Sequence, residues 1–201
     1  MKLLVIGSGM MGSAAASDMA RQTDVQAVTL ADADLQRARA VTARINRLRG
    51  DKKVRAVALD ASSEVAATKL LKGHDAALSA VPYFLNLGFA KAAISASWHF
   101  ADLGGNNTVV RQELALSSRA EKRGVAIAPD CGLWPGMASI LGGELVRRLG
   151  GRADALRQYV GGLPEKPMPP FHYQLVFFGR GPDQRVRRTC AHFAQGKAAH
   201  D

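Results

Sequence analysis

The sequence is poor in cysteine, in aromatic residues and in long hydrophobic runs. It has two cysteines in 201 residues, Cys131 and Cys190, and 6% aromatic residues. Two cysteines at this spacing give neither a metal-ligand pattern nor a disulfide framework, so we predict no metal site. No apolar run reaches the roughly 18–20 residues that a membrane span needs. Gly-Ser-Gly interrupts the apolar N-terminus where a signal peptide would continue, so we expect a cytoplasmic protein with no membrane partner.

Acidic residues are also scarce relative to basic ones. Asp and Glu number 17 against 27 Lys and Arg, for a net charge of +10. The arginines are spread along predicted helices rather than clustered, and neither an aromatic RNA-binding pattern nor a zinc-finger ligand set accompanies them. We therefore interpret the charge as a solvated surface and expect no nucleic-acid partner. The 47% hydrophobic and 22% charged content is typical of a globular protein with a packed core.

Apolar strands alternate with amphipathic helices over the first 128 residues. Short apolar strands such as KLLVI are typical of a parallel sheet that helices cover on both faces. The pattern predicts a doubly wound α/β (Rossmann) fold with strand order 3-2-1-4-5-6. The predicted strands are 2–6, 25–31, 54–59, 75–81, 98–103 and 125–128, and the predicted helices are 10–21, 33–48, 63–71, 85–96 and 109–123.

The rest of the chain is less regular. The sequence predicts a helix over 135–149, then a strand at 156–161 and a β-rich segment at 171–178. We therefore predict an NAD(P)-binding Rossmann domain at 1–150. We assign 151–178 to the start of a second, incomplete α+β domain for substrate binding and dimerisation. The remaining segment, 179–201, is predicted to be an irregular basic tail.

A glycine-rich loop joins the first predicted strand to the first helix. The motif is Gly7-Ser8-Gly9-Met10-Met11-Gly12, a G-x-G-x-x-G between strand and helix. Gly7 permits the tight turn, Gly9 lets backbone amides approach a pyrophosphate, and Gly12 lets the helix pack closely on the strand. The helix N-terminus then offers N–H groups to phosphate oxygens. The motif in this position predicts dinucleotide binding.

Asp32 ends the second predicted strand, twenty residues after Gly12. A carboxylate there binds the ribose hydroxyls of adenosine and repels a 2′-phosphate, which favours NAD over NADP. The alternative is that Asp32 caps the following helix, a role that Asp34 could equally fill. Arg37 and Arg39 lie close enough in sequence to bind a 2′-phosphate, so NADP stays open as the second cofactor.

Further candidates follow the other strands, at the edge where ligands of such folds bind. Asp60, after the third strand, could meet the adenine amino group or cap a helix. Val81 and Pro82 begin the loop after the fourth strand, where Tyr83 could contact nicotinamide or substrate, or pack beneath the next helix.

The loops after the fifth and sixth strands each carry a carboxylate among small residues. They are Asp102-Leu103-Gly104-Gly105-Asn106 and the segment that begins Pro129-Asp130-Cys131-Gly132. Carboxylates at this edge could hold a cationic amine. The candidate catalytic residues are therefore Asp130, Asp102, Tyr83 and Cys131. A lone cysteine is nevertheless more often a small buried apolar residue than a nucleophile.

Six motifs in order resemble the saccharopine dehydrogenase-like oxidoreductases, and within that group the lysine 6-dehydrogenases. They are LVIGSGMMG, TLADADLQRA, SAVPYFLN, ADLGGN, PDCGLWPGM and YVGGLPEKPMPPFHYQLVF, from Met1 to about Phe177. The resemblance implies a homodimeric NAD(P)-dependent enzyme that moves a hydride from an amine-bearing carbon, in a lysine- or saccharopine-like substrate, to nicotinamide. It implies cofactor contacts by Gly7, Gly9, Met10, Met11, Asp32 and Asp60, and a nicotinamide and amine site formed by Tyr83, Asp102, Gly105, Asn106, Asp130 and Cys131.

Two departures from the family pattern qualify this reading. Trp134 stands where the family usually has a small residue, which could narrow the site. The Arg-rich tail after about residue 177 does not resemble the family's continuation, so we expect a shifted frame or premature termination there. The alternative function is then a truncated dinucleotide-binding module without catalytic activity. A nucleic-acid binder ranks last.

Overall fold

The computed structural model describes residues 1–61, 64–159, 161, 165–166, 168–170, 192–194 and 197–199. The chain divides into two units, Met1–Gln158 and Tyr159–Asp201. Among the described residues, no helix is both long and apolar enough to span a membrane.

A six-stranded parallel sheet forms the centre of the first unit. Its order, β3-β2-β1-β4-β5-β6, confirms the predicted Rossmann topology. The register pairs Ile6 with Ala31 and with Ser79, and Ser79 with Asp102, so the strands end at one common edge. The strands are β1 Lys2–Ile6, β2 Ala27–Asp32, β3 Val54–Ala58, β4 Ala76–Ser79, β5 His99–Asp102 and β6 Ile127–Ala128.

Helices connect these strands and supply the packing on both sides. Helix α2 begins at its N-cap Asp34, whose carboxylate accepts the N–H of Arg37, and ends at Gly50, which adopts a φ of 74°. The capping role is therefore filled by Asp34, and the alternative that Asp32 caps this helix is wrong. The helices are α1 Met10–Arg21, α2 Leu35–Arg49, α3 Glu64–Leu71, α4 Asn86–Ala96, α5 Asn107–Leu114, α6 Ser117–Lys122 and α7 Ala138–Arg148, with a short 3-10 turn at Tyr83–Leu85.

Apolar side chains fill two layers, one on each face of the sheet. Leu30 and Ile45 belong to the layer beneath α1 and α2, whereas Phe89, Ile94 and Phe100 belong to the opposite layer. The rings of Phe89 and Phe100 stack with centroids 6.4 Å apart. Burial of each such side chain contributes about 1.5–3 kcal/mol to the free energy of folding. The packed layers thereby hold the strand ends in fixed positions.

The covering of the sheet is less complete than predicted. An apolar groove of about 240 Å³ lies on β1, β4, β5 and β6, with Leu3, Leu78, Phe100 and Ala126 among its lining residues. The prediction that helices cover both faces is therefore wrong for this part of the first unit.

The predicted helix over 109–123 is broken into α5 and α6. The hydroxyl of Ser117 donates to the carbonyl of Leu114 at 2.5 Å, and the N–H of Leu116 donates to the carbonyl of Glu113 at 2.9 Å. Such side-chain and i to i−3 bonds compete with the regular helical ladder. The break leaves Leu116 and Ala120 buried against the sheet.

The predicted helix over 135–149 begins late, at Ala138. Trp134, Pro135 and Gly136 have non-helical dihedral angles, and Gly136 has a φ of 72°. A Cβ atom at Gly136 would lie 2.6 Å from the carbonyl oxygen of Asp130, so this turn is folded tightly against the preceding loop.

The segment after α7 differs from the prediction as well. Residues 156–159 do not form the predicted strand, and the side-chain amide of Gln158 donates to the carbonyl of Ala138 in α7. The β-rich segment predicted at 171–178 lies outside the described residues. Within 179–201, predicted to be irregular, β7 (His192–Ala194) and β8 (Lys197–Ala199) pair antiparallel.

Candidate functional site

The loop between β1 and α1 has two glycines that no other residue could replace without moving the backbone. Gly7 adopts a φ of 100°, and a Cβ atom there would lie 2.7 Å from the carbonyl oxygen of Ala80. A Cβ atom at Gly12 would overlap the carbonyl oxygen of Gly7. The two glycines therefore serve the close approach of the helix to β1 and β4.

Gly9 is different, because its surroundings are open. It is exposed, its φ is −68°, and a Cβ atom there would meet no atom within 4 Å. The first N–H of α1 to bind within the helix is that of Ser13, which donates to Gly9 at 2.9 Å. The preceding N–H groups at the start of α1 are thus available to a ligand, and the helix dipole favours an anion there. The loop fits a pyrophosphate.

Asp32 lies at the end of β2, directly beside this loop. Its Oδ2 accepts the backbone N–H of Ser8 at 2.6 Å and the Ser8 hydroxyl at 2.7 Å. Its Oδ1 accepts the N–H of Asp34 at 2.9 Å and a guanidinium N–H of Arg37 at 2.7 Å. Burial acts to raise the pKa of Asp32, but these four hydrogen bonds outweigh it and lower the pKa below its usual value. Asp32 is therefore a fixed anion.

Arg37 connects Asp32 to the surface of the site. Its Nε donates to the Ser8 hydroxyl at 3.2 Å, while its other donor pairs with Asp32. The Arg37 side chain is 54% exposed, against 6% for that of Asp32. Of the four donors on Asp32, Arg37 is the one that a ligand can displace, because the others belong to the backbone or to a buried side chain.

Three predicted cofactor residues, in the loops after two strands, lie along the same edge of the sheet. Asp60 is exposed and follows β3, where the N–H of Leu59 donates to the carbonyl of Asp32 at 2.9 Å. Val81 and the exposed Pro82 follow β4, whose end is tied to β1 by the bond from the Ala80 N–H to the Ile6 carbonyl at 2.7 Å. Both positions are therefore close to strands that border the phosphate loop.

The predicted nicotinamide and amine residues meet on the other side of the point where the strand order reverses. Tyr83 is half-buried, and its Cβ would be 3.4 Å from a Cβ placed on Gly105. The N–H of Gly105 in turn donates to the carboxylate of Asp130. Asn106 caps α5 through its side-chain oxygen, which accepts the N–H of Thr108 at 2.9 Å and that of Val109 at 3.2 Å.

Asp102 is the junction between the loops after β5 and β6. Its Oδ1 accepts the N–H of Gly104 at 2.6 Å and that of Asp130 at 3.4 Å, and its carbonyl accepts the N–H of Cys131 at 2.7 Å. The residue is fully buried at 0% exposure. Asp102 therefore shapes the site through both loops, and the expectation that its carboxylate holds an amine directly is wrong.

Asp130 is the carboxylate of this group that solvent reaches. It adopts a φ of 59°, and a Cβ atom on Gly104 would overlap its Oδ1, so its side chain lies directly over that glycine. Burial raises the pKa of Asp130, the Gly105 N–H lowers it, and the charge of Asp102 raises it, with a net shift upward. A carboxylate with a raised pKa is suited to accepting a proton near neutral pH.

Cys131 is exposed rather than buried, with its thiol 3.3 Å from the Ala128 carbonyl. The protein around the sulfur nevertheless removes part of its hydration, and this desolvation, followed by the charges of Asp102 and Asp130, raises the pKa of the thiol. Cys131 is therefore held as a neutral thiol, which does not suit a nucleophile.

Sequence reasoning missed two residues of this site region. Arg37 was considered only as a partner of a 2′-phosphate, whereas it pairs with Asp32. Glu113, on α5, is 1% exposed and interacts with the Asp102 carboxyl. Its signal was periodicity: Val109, Glu113, Leu116 and Ala120 follow helical spacing, so Glu113 occupies an inward position. Among the described residues, no group of three or more His, Cys, Asp or Glu side chains could hold a metal ion.

Residues 3–128 match the family model described as the saccharopine dehydrogenase NADP binding domain. The chain belongs to this family. The matched range contains the phosphate loop, Asp32, the loop after β5 and Glu113. The saccharopine dehydrogenase resemblance of the sequence is thereby confirmed, while the finer likeness to lysine 6-dehydrogenases stays a prediction.

Two curated relatives are similar along most of the chain. Both are named saccharopine dehydrogenase [NADP(+), L-glutamate-forming]; the Schizosaccharomyces pombe protein is 27% identical and the Saccharomyces cerevisiae protein 26% identical over 200 residues. Each match covers 97% of this chain and 42% of the relative, so the chain spans less than half of their length. At 97% coverage the similarity continues past Phe177, into the segment where we expected it to end.

A solved structure shares the fold. Apo saccharopine dehydrogenase (L-Glu forming) from Saccharomyces cerevisiae superimposes with a TM-score of 0.61 and 23% identity, over 75% of this chain and 31% of that chain. A Klebsiella pneumoniae protein described as an NAD binding oxidoreductase gives a TM-score of 0.50 at 21% identity, over 74% of this chain and 39% of that chain.

Proposed function

We propose that residues of the first unit bind a nicotinamide dinucleotide and that the protein is an oxidoreductase acting on an amine-bearing carbon. The observation that carries the proposal is the phosphate loop, in which Gly9 faces open space while Ser8 ties the loop to the buried anion Asp32. The family membership of the chain supports the same cofactor class.

Each part of the site would contact a different part of the cofactor. The N–H groups at the start of α1 would bind the pyrophosphate, and Met10 and Met11, both exposed, would border it. Asp32 would accept a ribose hydroxyl on Oδ1 once Arg37 moves away, because its four acceptor positions are otherwise occupied. Asp60 would lie towards the adenine.

We propose NAD as the preferred cofactor, because Asp32 is an ionised carboxylate at the ribose position. A 2′-phosphate there would meet a like charge. Against this preference, the family model and the curated relatives are named for NADP, and Arg37 has a donor-rich side chain at the same place. Displaced from Asp32, the Arg37 guanidinium would be positioned to pair with a 2′-phosphate. Asp32 and Arg37 therefore decide the choice together.

The bound nicotinamide would supply the hydride chemistry, and the chain would supply the proton chemistry and the orientation. A substrate amine must be neutral before its carbon can lose hydride. Asp130, partly exposed and with a raised pKa, would accept the ammonium proton. Tyr83 would border the substrate beside Gly105. Lysine and saccharopine are the proposed substrate types, and a homodimer is the proposed assembly.

Calorimetric titration with NAD and NADP, in the native chain and in Asp32→Asn and Arg37→Gln variants, tests this function. We expect Asp32→Asn to lower the ratio of NAD to NADP affinity by about tenfold or more, since one charged contact contributes about 1.5–3 kcal/mol. Arg37→Gln, the matched change of the partner residue, should lower NADP affinity and spare NAD. Absence of binding to both dinucleotides would reject the proposal. Lysine- or saccharopine-dependent reduction of the bound dinucleotide tests the substrate type.

A further inference from the structure

Glu113 is an acidic side chain at an inward-facing position of its helix, where an apolar side chain is expected. It is the one buried residue of α5, at 1% exposure, while its neighbour Leu114 is 55% exposed. It lines a pocket of about 340 Å³ with Val125 and Ile127, next to the sheet. Charged groups are almost never fully buried unless they are paired. A specific partner is therefore expected for this carboxyl.

The partner is Asp102, and the pair lacks a donor. Both carboxyl oxygens of Glu113 and Oδ2 of Asp102 are buried without a donor among the described residues. The two side chains are nevertheless in hydrogen-bonding contact with each other. Two buried carboxylates in contact repel each other, whereas one shared proton converts the contact into a hydrogen bond.

The donors around the pair indicate which of the two side chains carries the shared proton. Oδ1 of Asp102 already accepts two backbone N–H groups, from Gly104 and Asp130. Neither carboxyl oxygen of Glu113 accepts from a donor among the described residues, so Glu113 is the partner that donates the shared proton. We propose that Glu113 is a positioning residue: as a neutral acid it donates a hydrogen bond to Asp102 and thereby holds the loops after β5 and β6 in shape.

The groups that face Glu113 are acidic. Burial comes first among the causes that raise the pKa of Glu113 to about 8, followed by the charge and hydrogen bond of Asp102 and the charge of Asp130. The exposed Glu121 of α6 lines the same pocket. When Glu113 loses its proton in alkaline solution, the Asp102 carboxylate loses its hydrogen bond from Glu113 and the two carboxylates repel each other.

The consequence falls on Asp130 and Cys131, because Asp102 binds the backbone of both residues. Ionisation of Glu113 would loosen the turn that places the Asp130 carboxylate on the Gly105 N–H. The pair thus couples alkaline pH to the shape of the site. The influence of the Glu113–Asp102 pair on catalysis rests on the proposed function, whereas the protonation of Glu113 does not depend on it.

The first test counts protons released on unfolding. Between the ordinary glutamate pKa of 4.5 and about 8, the folded chain holds a proton that the unfolded chain lacks. Stability therefore falls as pH rises through this window and levels off above it. Urea unfolding of the full chain at several pH values gives the free energy of unfolding, and the slope of that free energy against pH gives the number of protons released. We expect Glu113→Gln to release about one proton fewer than the native chain near neutral pH. Glu121→Gln, the same change at an exposed position, is the control and should leave the count unaltered.

The second test measures how accessible the loop after β6 is, by the rate at which Cys131 is alkylated. Mass spectrometry of the peptide that contains Cys131 gives this rate. Glutamine keeps a donor towards Asp102, so Glu113→Gln should match the native rate at neutral pH, while Glu113→Leu should react several-fold faster. The ratio of native to Glu113→Gln rates should rise as pH passes about 8, because the ionising acid is present only in the native chain.

Three results would overturn the inference. The proton count of Glu113→Gln could equal that of the native chain, or Glu113→Leu could leave Cys131 reactivity unchanged. The third result applies even if the variants do not fold. The pKa of Glu113 can be measured in the native chain by carbon-13 NMR titration of its carboxyl group, and an ordinary glutamate pKa would reject the shared proton. Neither readout needs cofactor, so loss of dinucleotide binding with an intact proton count would reject the proposed function alone.

Discussion

Replacing Gly9 with valine should abolish dinucleotide binding while leaving the fold intact. Gly9 has a φ of −68°, which any residue can adopt, and a Cβ atom there meets no protein atom within 4 Å. The added side chain therefore occupies only the space in front of the α1 N–H groups. We expect the free energy of unfolding to change by no more than about 1 kcal/mol.

The loss of affinity follows from the hydrogen bonds that the valine side chain obstructs. A hydrogen bond to a charged group contributes about 1.5–3 kcal/mol, so loss of two costs about 3–6 kcal/mol. Affinity should then fall about 100-fold or more. Calorimetry measures binding, and urea unfolding checks the fold. Gly143→Val is the matched control, because Gly143 is also exposed with no atom within 4 Å of its Cβ position, but lies on α7. Unchanged affinity in Gly9→Val would refute the assignment of the phosphate loop.

Further predictions concern the stability of the sheet and helices that support the phosphate loop. Gly12→Ala, in contrast to Gly9→Val, should destabilise the protein by about 1–3 kcal/mol or more in urea unfolding, because its Cβ overlaps the Gly7 carbonyl; a fully stable variant would contradict the close packing. Asp34→Ala removes the cap of α2 and should cost about 0.5–2 kcal/mol, with dinucleotide affinity preserved. Phe100→Ala should lower the free energy of unfolding by about 3–5 kcal/mol in calorimetric melting, because it leaves a cavity beside the stacked ring of Phe89. A loss below about 1 kcal/mol would contradict this role of Phe100 in the core.

The topology of the first unit could be predicted because its signals are local. KLLVI, the glycines after it and the alternation of strand and helix fix the kind of each element, and the handedness of parallel crossovers then fixes the strand order. Element ends were harder to predict, as the break between α5 and α6 illustrates. A serine hydroxyl that bonds Leu114 decides that break, and helical periodicity continues through it.

The site could be predicted as a set of positions but not as a set of contacts. Strand ends place Asp32, Tyr83, Asp102 and Asp130 at one edge for purely topological reasons. Which carboxylate is buried depends on how α5 packs, so the sequence could not distinguish the enclosed Asp102 from the accessible Asp130. The pairing of Arg37 with Asp32 likewise arises from contact between α2 and the loop, which local pattern does not encode.

Ser8 occupies a variable position of the glycine motif, yet it is buried and gives both its N–H and its hydroxyl to Asp32. The loop is thereby held in its binding geometry by a residue 24 positions further along the chain. The loop therefore loses little conformational entropy when a dinucleotide binds, so a smaller part of the binding energy of the phosphate contacts is offset. Association should accordingly be a single fast step, limited by the encounter and by the departure of one arginine side chain.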